Sequence, residues 1–258
     1  MCLALLALHA HPRYAVVIAA NRDEFHARPG EAAGWWEDGW LAGRDLGAGG
    51  TWLGVTRAGR WALLTNVREP ARNDPQAPSR GALVTGFLAG SGAPGETLRA
   101  VVAAGHRHNG FNMLAGDVTG AYWGSNRGEA SRPLVPGIYG LSNDLLDTPW
   151  PKVLRTKAAL AAWCAGDGLR EGGIAPLFGI LGDAARAADA DLPATGIPLD
   201  TERLLSAPFI VSDSYGTRCS TVLTIGYDAA VRFVERSFDP AGRANGEVEY
   251  RFRMTATR

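Results

Sequence analysis

Short apolar runs broken by turn residues dominate the start of the chain. Cys2 to Leu8 is one such run, His11-Pro12-Arg13 reads as a turn, and Tyr14 to Ala20 is a second run rich in Ala, Val and Ile. This pattern predicts a hairpin. If it closes symmetrically, His9 faces Tyr14 and Cys2 falls opposite Asn21, with roughly 5 Å between opposed Cβ atoms. Thr51–Thr56 and Trp61–Thr65 flank Arg57-Ala58-Gly59-Arg60 as a second hairpin, and Phe111–Ala115 with Ala121–Ser125 make a third. The stretch between the first two hairpins, with Trp35, Trp36 and Trp40 among glycines, reads as an irregular loop. It offers either a lid over a pocket or plugs for a core, since Trp has a large apolar face and one donor.

The middle of the chain changes period. Ser79 predicts a helix cap, with the helix running to Ala89 and stopped by Gly90; Pro94 and the Glu96–Ala104 pattern predict another. Asp147 or Thr148 would cap a third helix with Pro149 and Pro151 tolerated in its first turn and Val153, Leu154, Ala158, Ala161 and Cys164 on one face. A fourth is expected over Ala175–Ala187. The last third returns to strands: Ala207–Val211, a polar turn over Ser212–Arg218, a hairpin of Cys219–Tyr227 with Val231–Ser237, and Glu247–Met254. Hairpins, a helical middle and hairpins again predict an α+β layered fold of antiparallel sheets, taken as one domain over residues 1–258.

Composition narrows the functional classes. At 258 residues and 46% hydrophobic content the chain can bury a large core. Its 26 basic and 26 acidic residues cancel, so no net field favours nucleic acid or an acidic membrane surface. The N-terminal apolar run is too short for a signal peptide and lacks a basic flank, and no stretch of about eighteen apolar residues predicts an integral membrane segment. Three cysteines, Cys2, Cys164 and Cys219, lie far apart without CxxC spacing. They suggest neither a disulfide framework nor a zinc site, and the expected compartment is the reducing cytoplasm.

Candidate chemistry begins at residue 2. A small second residue permits removal of Met1, which would leave Cys2 with both a free α-amine and a thiol. These groups titrate near pH ~8 and ~8.5, so the amine can take the thiol proton without a further relay. Arg22 nearby would favour the thiolate and could hold a carbonyl or carboxylate. The plainer alternative is that Cys2 is a small buried hydrophobe. Gly43 to Gly50 lacks the Gly-Lys-Ser/Thr ending of a phosphate loop and precedes a strand; close backbone approach is its expected use. Asn66, at a strand end, is a candidate oxyanion donor or an ordinary turn residue. His9 with His11 and His106 with His108 form HxH pairs, read as solvated or core histidines with no metal site assigned.

Met1-Cys2, Asn21-Arg22-Asp23-Glu24, Gly50-Thr51-Trp52-Leu53-Gly54, Thr65-Asn66-Val67-Arg68, Leu141-Ser142-Asn143, Asp147 to Lys152 and Tyr215-Gly216-Thr217-Arg218 occur in an order that resembles the NRDE family, also called the transport and Golgi organisation protein 2 family. The resemblance covers nearly the whole chain. It implies an N-terminal-nucleophile (Ntn) hydrolase-like fold, a four-layer αββα sandwich of two antiparallel sheets flanked by helices. It further implies that Cys2 corresponds to the nucleophile of amidases that cleave linear C–N amide bonds. In that scheme Arg22 and Asp23 orient the Cys2 amine and thiol, Asn66 serves the oxyanion, and Asn21, Glu24, Trp52, Asn143 and Arg218 line the substrate pocket, with no cofactor. In those amidases the Arg and Asp are two residues apart, whereas here Arg22 abuts Asp23. That sends one side chain to the other strand face and leaves open which of Asp23 and Glu24 meets Cys2. The family's links to secretory organisation, haem handling and acyl-CoA or lipid metabolism imply a second function: a non-catalytic carrier of haem or an acyl-chain ligand, with Cys2 or a histidine as a haem ligand.

Overall fold

In the computed structural model, which describes residues 2–129, 131–166 and 173–255 without the Cys2 side chain, strand β1 (Cys2–Leu8) is apolar and buried at every position from Leu3 to Leu8. A strand covered on both faces reads as a continuous apolar run. The chain is α+β with two antiparallel sheets, and its residues group into two compact units, Met1–Ala27 with Pro136–Arg251 and Arg28–Val135 with Phe252–Arg258.

In the first unit, β1 pairs with β2 (Tyr14–Phe25), and the six-stranded sheet runs β10-β1-β2-β11-β12-β13. Here β10 is Gly137–Leu141, β11 Tyr215–Gly226, β12 Ala230–Phe238 and β13 Ala244–Arg253. Helices α3 (Pro151–Ala165) and α4 (Ala175–Leu181) cover one face, packing on Leu3, Leu5, Ala7, Val17, Ala19, Val222 and Val234. The edge strand β13 is largely exposed and tied down by Arg232–Glu249 and Arg236–Glu247 ion pairs at 2.7 and 2.8 Å. Charge along an edge discourages pairing with a foreign strand.

The predicted hairpin forms, but its register differs by one residue. Cys2 pairs with Arg22, and Leu3 pairs with Asn21. His9 adopts a left-handed φ of 47° and donates its N–H to the Ala15 carbonyl at 2.8 Å, and Leu8 pairs with Val16, so the hairpin closes about Pro12. A one-residue slip exchanges the faces of every side chain.

The second unit is a seven-stranded meander, β3 (Gly30–Trp35), β4 (Trp40–Asp45), β5 (Leu53–Thr56), β6 (Trp61–Asn66), β7 (Phe111–Asp117), β8 (Gly120–Ser125) and β9 (Arg132–Pro133). Helices α1 (Gly81–Ala89) and α2 (Pro94–Ala103) pack on one face through Val84, Phe87, Leu88, Leu98 and Val102. The tryptophan stretch is therefore a hairpin and not an irregular loop. Trp40 is buried; Trp36 donates to the Ala42 carbonyl (3.0 Å), and Arg44 and Arg57 lie over the Trp36 and Trp35 rings at 4.0 and 3.9 Å. The glycine-rich turn does allow close approach: a Cβ on Gly50 would stand 2.5 Å from the backbone carbon of Gly81 at the start of α1.

Several expected elements shift. Trp150 is the N-cap of α3, while Asp147, at φ 62°, receives the Gly140 N–H and the Lys157 ammonium. The buried face of α3 is Lys152, Val153, Thr156, Leu160 and Cys164, and Leu154 is exposed. Thr156 can be buried because its hydroxyl bonds the Lys152 carbonyl at 2.6 Å. Helix α4 ends at Leu181, before Gly182, and the 207–211 segment bends and joins no sheet. Helix α5 (Leu199–Leu205) was not anticipated, and β11 begins inside the expected polar turn.

Candidate active site

Alternation along β2 sorts the tetrad Asn21 to Glu24 between the two faces of its sheet. Asn21 points to the helical layer: its amide donates to the carbonyls of Leu181 and Pro208 at 2.8 and 2.9 Å, and its oxygen accepts the Ser220 hydroxyl at 2.6 Å. Asp23, two positions on, shares that face. Arg22, between them, belongs to the opposite face, in a lateral row in which Cys2 pairs with Arg22 and Arg22 with Cys219. Arg22 and Cys219 are both buried. Cys2 is described only as the β1 residue paired with Arg22; its side chain, and with it the expected contact between its thiol and a carboxylate, lies outside the described residues.

Asp23 is 1% exposed. Its Oδ1 accepts the Thr217 hydroxyl at 2.7 Å, Thr217 in turn receives the Ile210 N–H at 2.9 Å, and the Tyr215 hydroxyl donates to the Asp23 carbonyl at 3.0 Å. Burial pushes the Asp23 carboxyl above the usual range; the charge of the amino terminus, then that of Lys152 and the Thr217 hydrogen bond, pull it back, and Glu24 pushes it up. Glu24, on Arg22's side of the strand, is half-buried and accepts the Phe25 N–H at 2.9 Å.

Arg218 is the extra residue of a β-bulge between Thr217 and Cys219, opposite the Arg22–Asp23 step. The bulge redirects its side chain, and its guanidinium donates to the Phe25 and His26 carbonyls at 3.1 and 3.2 Å, closing the end of β2. Asn143 is buried two residues beyond Leu141, the last residue of β10, which pairs with Ala4. The chain leaves the sheet and bends after Leu141, so Asn143 lies just beyond the end of the β1–β10 pairing.

Two proposed residues belong to the other unit. Trp52 lies against β4, where its ring occupies the space a side chain on Gly43 would need; the gap to a Cβ there would be 2.3 Å. Asn66 ends β6, half-buried and paired with Phe111. The histidine pairs do not converge: His11 is buried, its partner His9 is exposed, and His106 and His108 each meet a backbone carbonyl. Among the described residues no cluster of His, Cys, Asp and Glu suits a metal ion.

Two buried charges near the tetrad have no counterpart among the residues expected from sequence. Lys152, in the first turn of α3, is 1% exposed. Glu235 on β12 is also 1% exposed, accepts the Thr221 hydroxyl at 3.0 Å, and shares Arg22's sheet face. The signal for Glu235 was available: in Val231-Arg232-Phe233-Val234-Glu235 it continues the alternation of Val231 and Phe233. A lysine at a helix start, where the dipole disfavours a cation, was the corresponding anomaly for Lys152.

Comparison with known proteins matches residues 1–240 to a family model described as Transport and Golgi organisation 2. A Transport and Golgi organization protein 2 homolog of Bos taurus is 40% identical over 241 residues, covering 87% of each chain. The Homo sapiens homolog is 37% identical over 247 residues, again 87% of each. Among solved structures, a mutant C2A conjugated bile acid hydrolase from Clostridium perfringens aligns over 100% of this chain and 99% of that one. At a TM-score of 0.48 and 10% identity, that likeness carries no functional argument.

Proposed function

The chain belongs to the Transport and Golgi organisation 2 family, and from that premise we propose that it is an N-terminal-nucleophile amidohydrolase acting on the linear C–N amide bond of a small molecule. Met1 is removed, the Cys2 thiol attacks the substrate carbonyl, and its proton passes through the residue-2 amine to the departing amine. Water then cleaves the resulting thioester and releases the acid. Arg22 favours the thiolate and draws in a carbonyl or carboxylate; Asp23 orients the amine. The observation that carries this reading is the pairing of residue 2 with a buried arginine, with a buried aspartate next along the same strand. An unreactive N-terminal strand has no use for such groups, because buried charge is costly.

Intact mass of the purified protein, before and after brief exposure to a thiol-directed acylating probe, tests it. Loss of Met1 and one rapid adduct mapped to Cys2, absent in Cys2→Ser, support the hydrolase. Retained Met1 with an unreactive Cys2 turns the assignment to a ligand carrier, to be pursued by haem and acyl-CoA titrations.

A further inference from the structure

We propose that Thr217 is a positioning residue of this site, its hydroxyl fixing the Asp23 carboxylate for the residue-2 amine. Thr217 is 1% exposed, and its hydroxyl has two partners. The Ile210 N–H, 2.9 Å away, can only donate, so it takes a lone pair of the hydroxyl oxygen. The single hydroxyl proton is then committed to Asp23 Oδ1 at 2.7 Å, which has to be an acceptor. A proton on that oxygen would leave the Thr217 hydroxyl with nothing to donate to, in a place closed to water.

Both ends of this hydrogen bond are held by the backbone. The Ile210 carbonyl accepts the Thr217 N–H at 2.8 Å, which clips the 207–211 bend to β11, and the Tyr215 hydroxyl donates to the Asp23 carbonyl at 3.0 Å. The bulge at Arg218 decides which face Thr217 serves. Thr217 and Cys219 are two residues apart and in a regular strand would share a face, yet Thr217 pairs with Asp23 and Cys219 with Arg22, on opposite faces. One inserted residue thus lets β11 set a hydroxyl beside Asp23 and Cys219 beside Arg22. A hydrogen bond donated to a carboxylate favours its charged form. Burial opposes that form at Asp23; the amino terminus, Lys152 and the Thr217 bond support it, and Glu24 opposes it. What the ionised Asp23 does for catalysis rests on the nucleophile reading; its hydrogen bond to Thr217 does not.

The test uses acetylation of residue 2 by p-nitrophenyl acetate, in which the thiolate takes the acetyl group and p-nitrophenolate leaves, followed from about pH 5 to 9 with the adduct located by peptide mapping. Thr217→Val removes the hydroxyl and keeps the shape, Thr217→Ser keeps the hydroxyl, and Asp23→Asn removes the charge. Relative to wild type, Asp23→Asn should be slow at every pH. Thr217→Val should be up to about tenfold slower at the acid end, in line with one hydrogen bond to a charged group, and should recover as Asp23 ionises. Thr217→Ser should return the wild-type profile. Urea midpoints over the same range are the second measurement. A carboxyl whose pKa is raised on folding loses stability as pH rises through the folded-state value, and Thr217→Val raises Asp23 further above the ordinary 3.8. Its loss of stability should therefore grow from acid to neutral pH, and should be flat with pH in an Asp23→Asn background. Should Thr217→Val not fold, Thr217→Ala, which leaves room for a water at the Ile210 N–H, replaces it in both measurements.

A Thr217→Val rate that keeps a constant ratio to wild type, or a Thr217→Ser profile that follows Thr217→Val, overturns the positioning role. So does an Asp23→Asn variant that reacts like wild type. If residue 2 is unreactive in the wild type, the nucleophile reading fails and the catalytic role of Thr217 fails with it. The stability series then stands by itself: a pH-dependent loss that disappears with Asp23 supports the hold of Thr217 on the carboxylate, and a loss independent of pH overturns that too.

Discussion

Replacing Asn21 by alanine separates a substrate-binding residue from a structural one. The side chain is 1% exposed and makes three hydrogen bonds, to the Leu181 and Pro208 carbonyls and from the Ser220 hydroxyl. It thereby joins β2 to the end of α4, to the bend at 207–209 and to β11. Alanine removes one partner from each of these groups in a place water does not reach, and each buried group left unsatisfied costs about 1 kcal/mol at the low end of the usual range. The expected loss is about 3 kcal/mol, a sizeable part of a typical stability of about 5–15 kcal/mol. For a chain of this length that corresponds to a fall in Tm of about 6 °C or more. Thermal unfolding monitored by circular dichroism measures it, with urea midpoints as a second probe. A loss below about 1 kcal/mol, or a normal Tm with weakened ligand binding, would refute the structural assignment and return Asn21 to the pocket.

Three other expectations arise from local geometry. Gly43→Ala should destabilise by about 1–3 kcal/mol because its Cβ would collide with the Trp52 ring, and most of that loss should vanish in a Trp52→Ala background; urea midpoints of the four proteins decide it. Cys164, whose thiol is pushed up to about 11 by burial, should resist alkylation at neutral pH until the protein is unfolded, as peptide mapping after timed labelling would show. His11 is packed between Tyr14 and Trp163, with ring centroids at 4.7 and 4.8 Å, and its Nδ1 accepts the Arg13 N–H. Burial, and then the charge of Arg13, hold its pKa below the ordinary 6.5. The unfolded chain thus binds more protons just below that value, so the His11 contribution is intact above pH 6.5 and is lost as pH falls toward the folded-state pKa. The fall in Tm over that window should shrink in His11→Gln; an identical fall in both proteins would count against it.

Much of the architecture was legible in local pattern. The apolar runs at Cys2–Leu8 and Tyr14–Ala20, the Gly59 turn between β5 and β6, and the Pro94 start of α2 each report on the nearest few residues, and each appears where pattern and turn chemistry placed it. Face assignment was less secure in α3. Thr156 counts as polar in a periodicity but is buried once its hydroxyl has a carbonyl to bind, and Leu154 is left to solvent. The tryptophan hairpin was missed because glycines suggested a loop, while the cover over Trp36, just past the end of β3, comes from Arg44 on β4.

The sequence by itself determined which chemical groups stand together: a cysteine at residue 2, and Asn, Arg, Asp and Glu in succession at the end of the second strand. Only the tertiary structure decided which way each of them faces. The hairpin closes about Pro12, one position from the expected register, and since side chains alternate with a period of two, that shift exchanges Asn21 for Arg22 as the partner of residue 2. Lys152 and Glu235 each leave a local signal, a lysine at a helix start and a glutamate in step with Val231 and Phe233, but what each is buried against depends on elements that only the fold brings together.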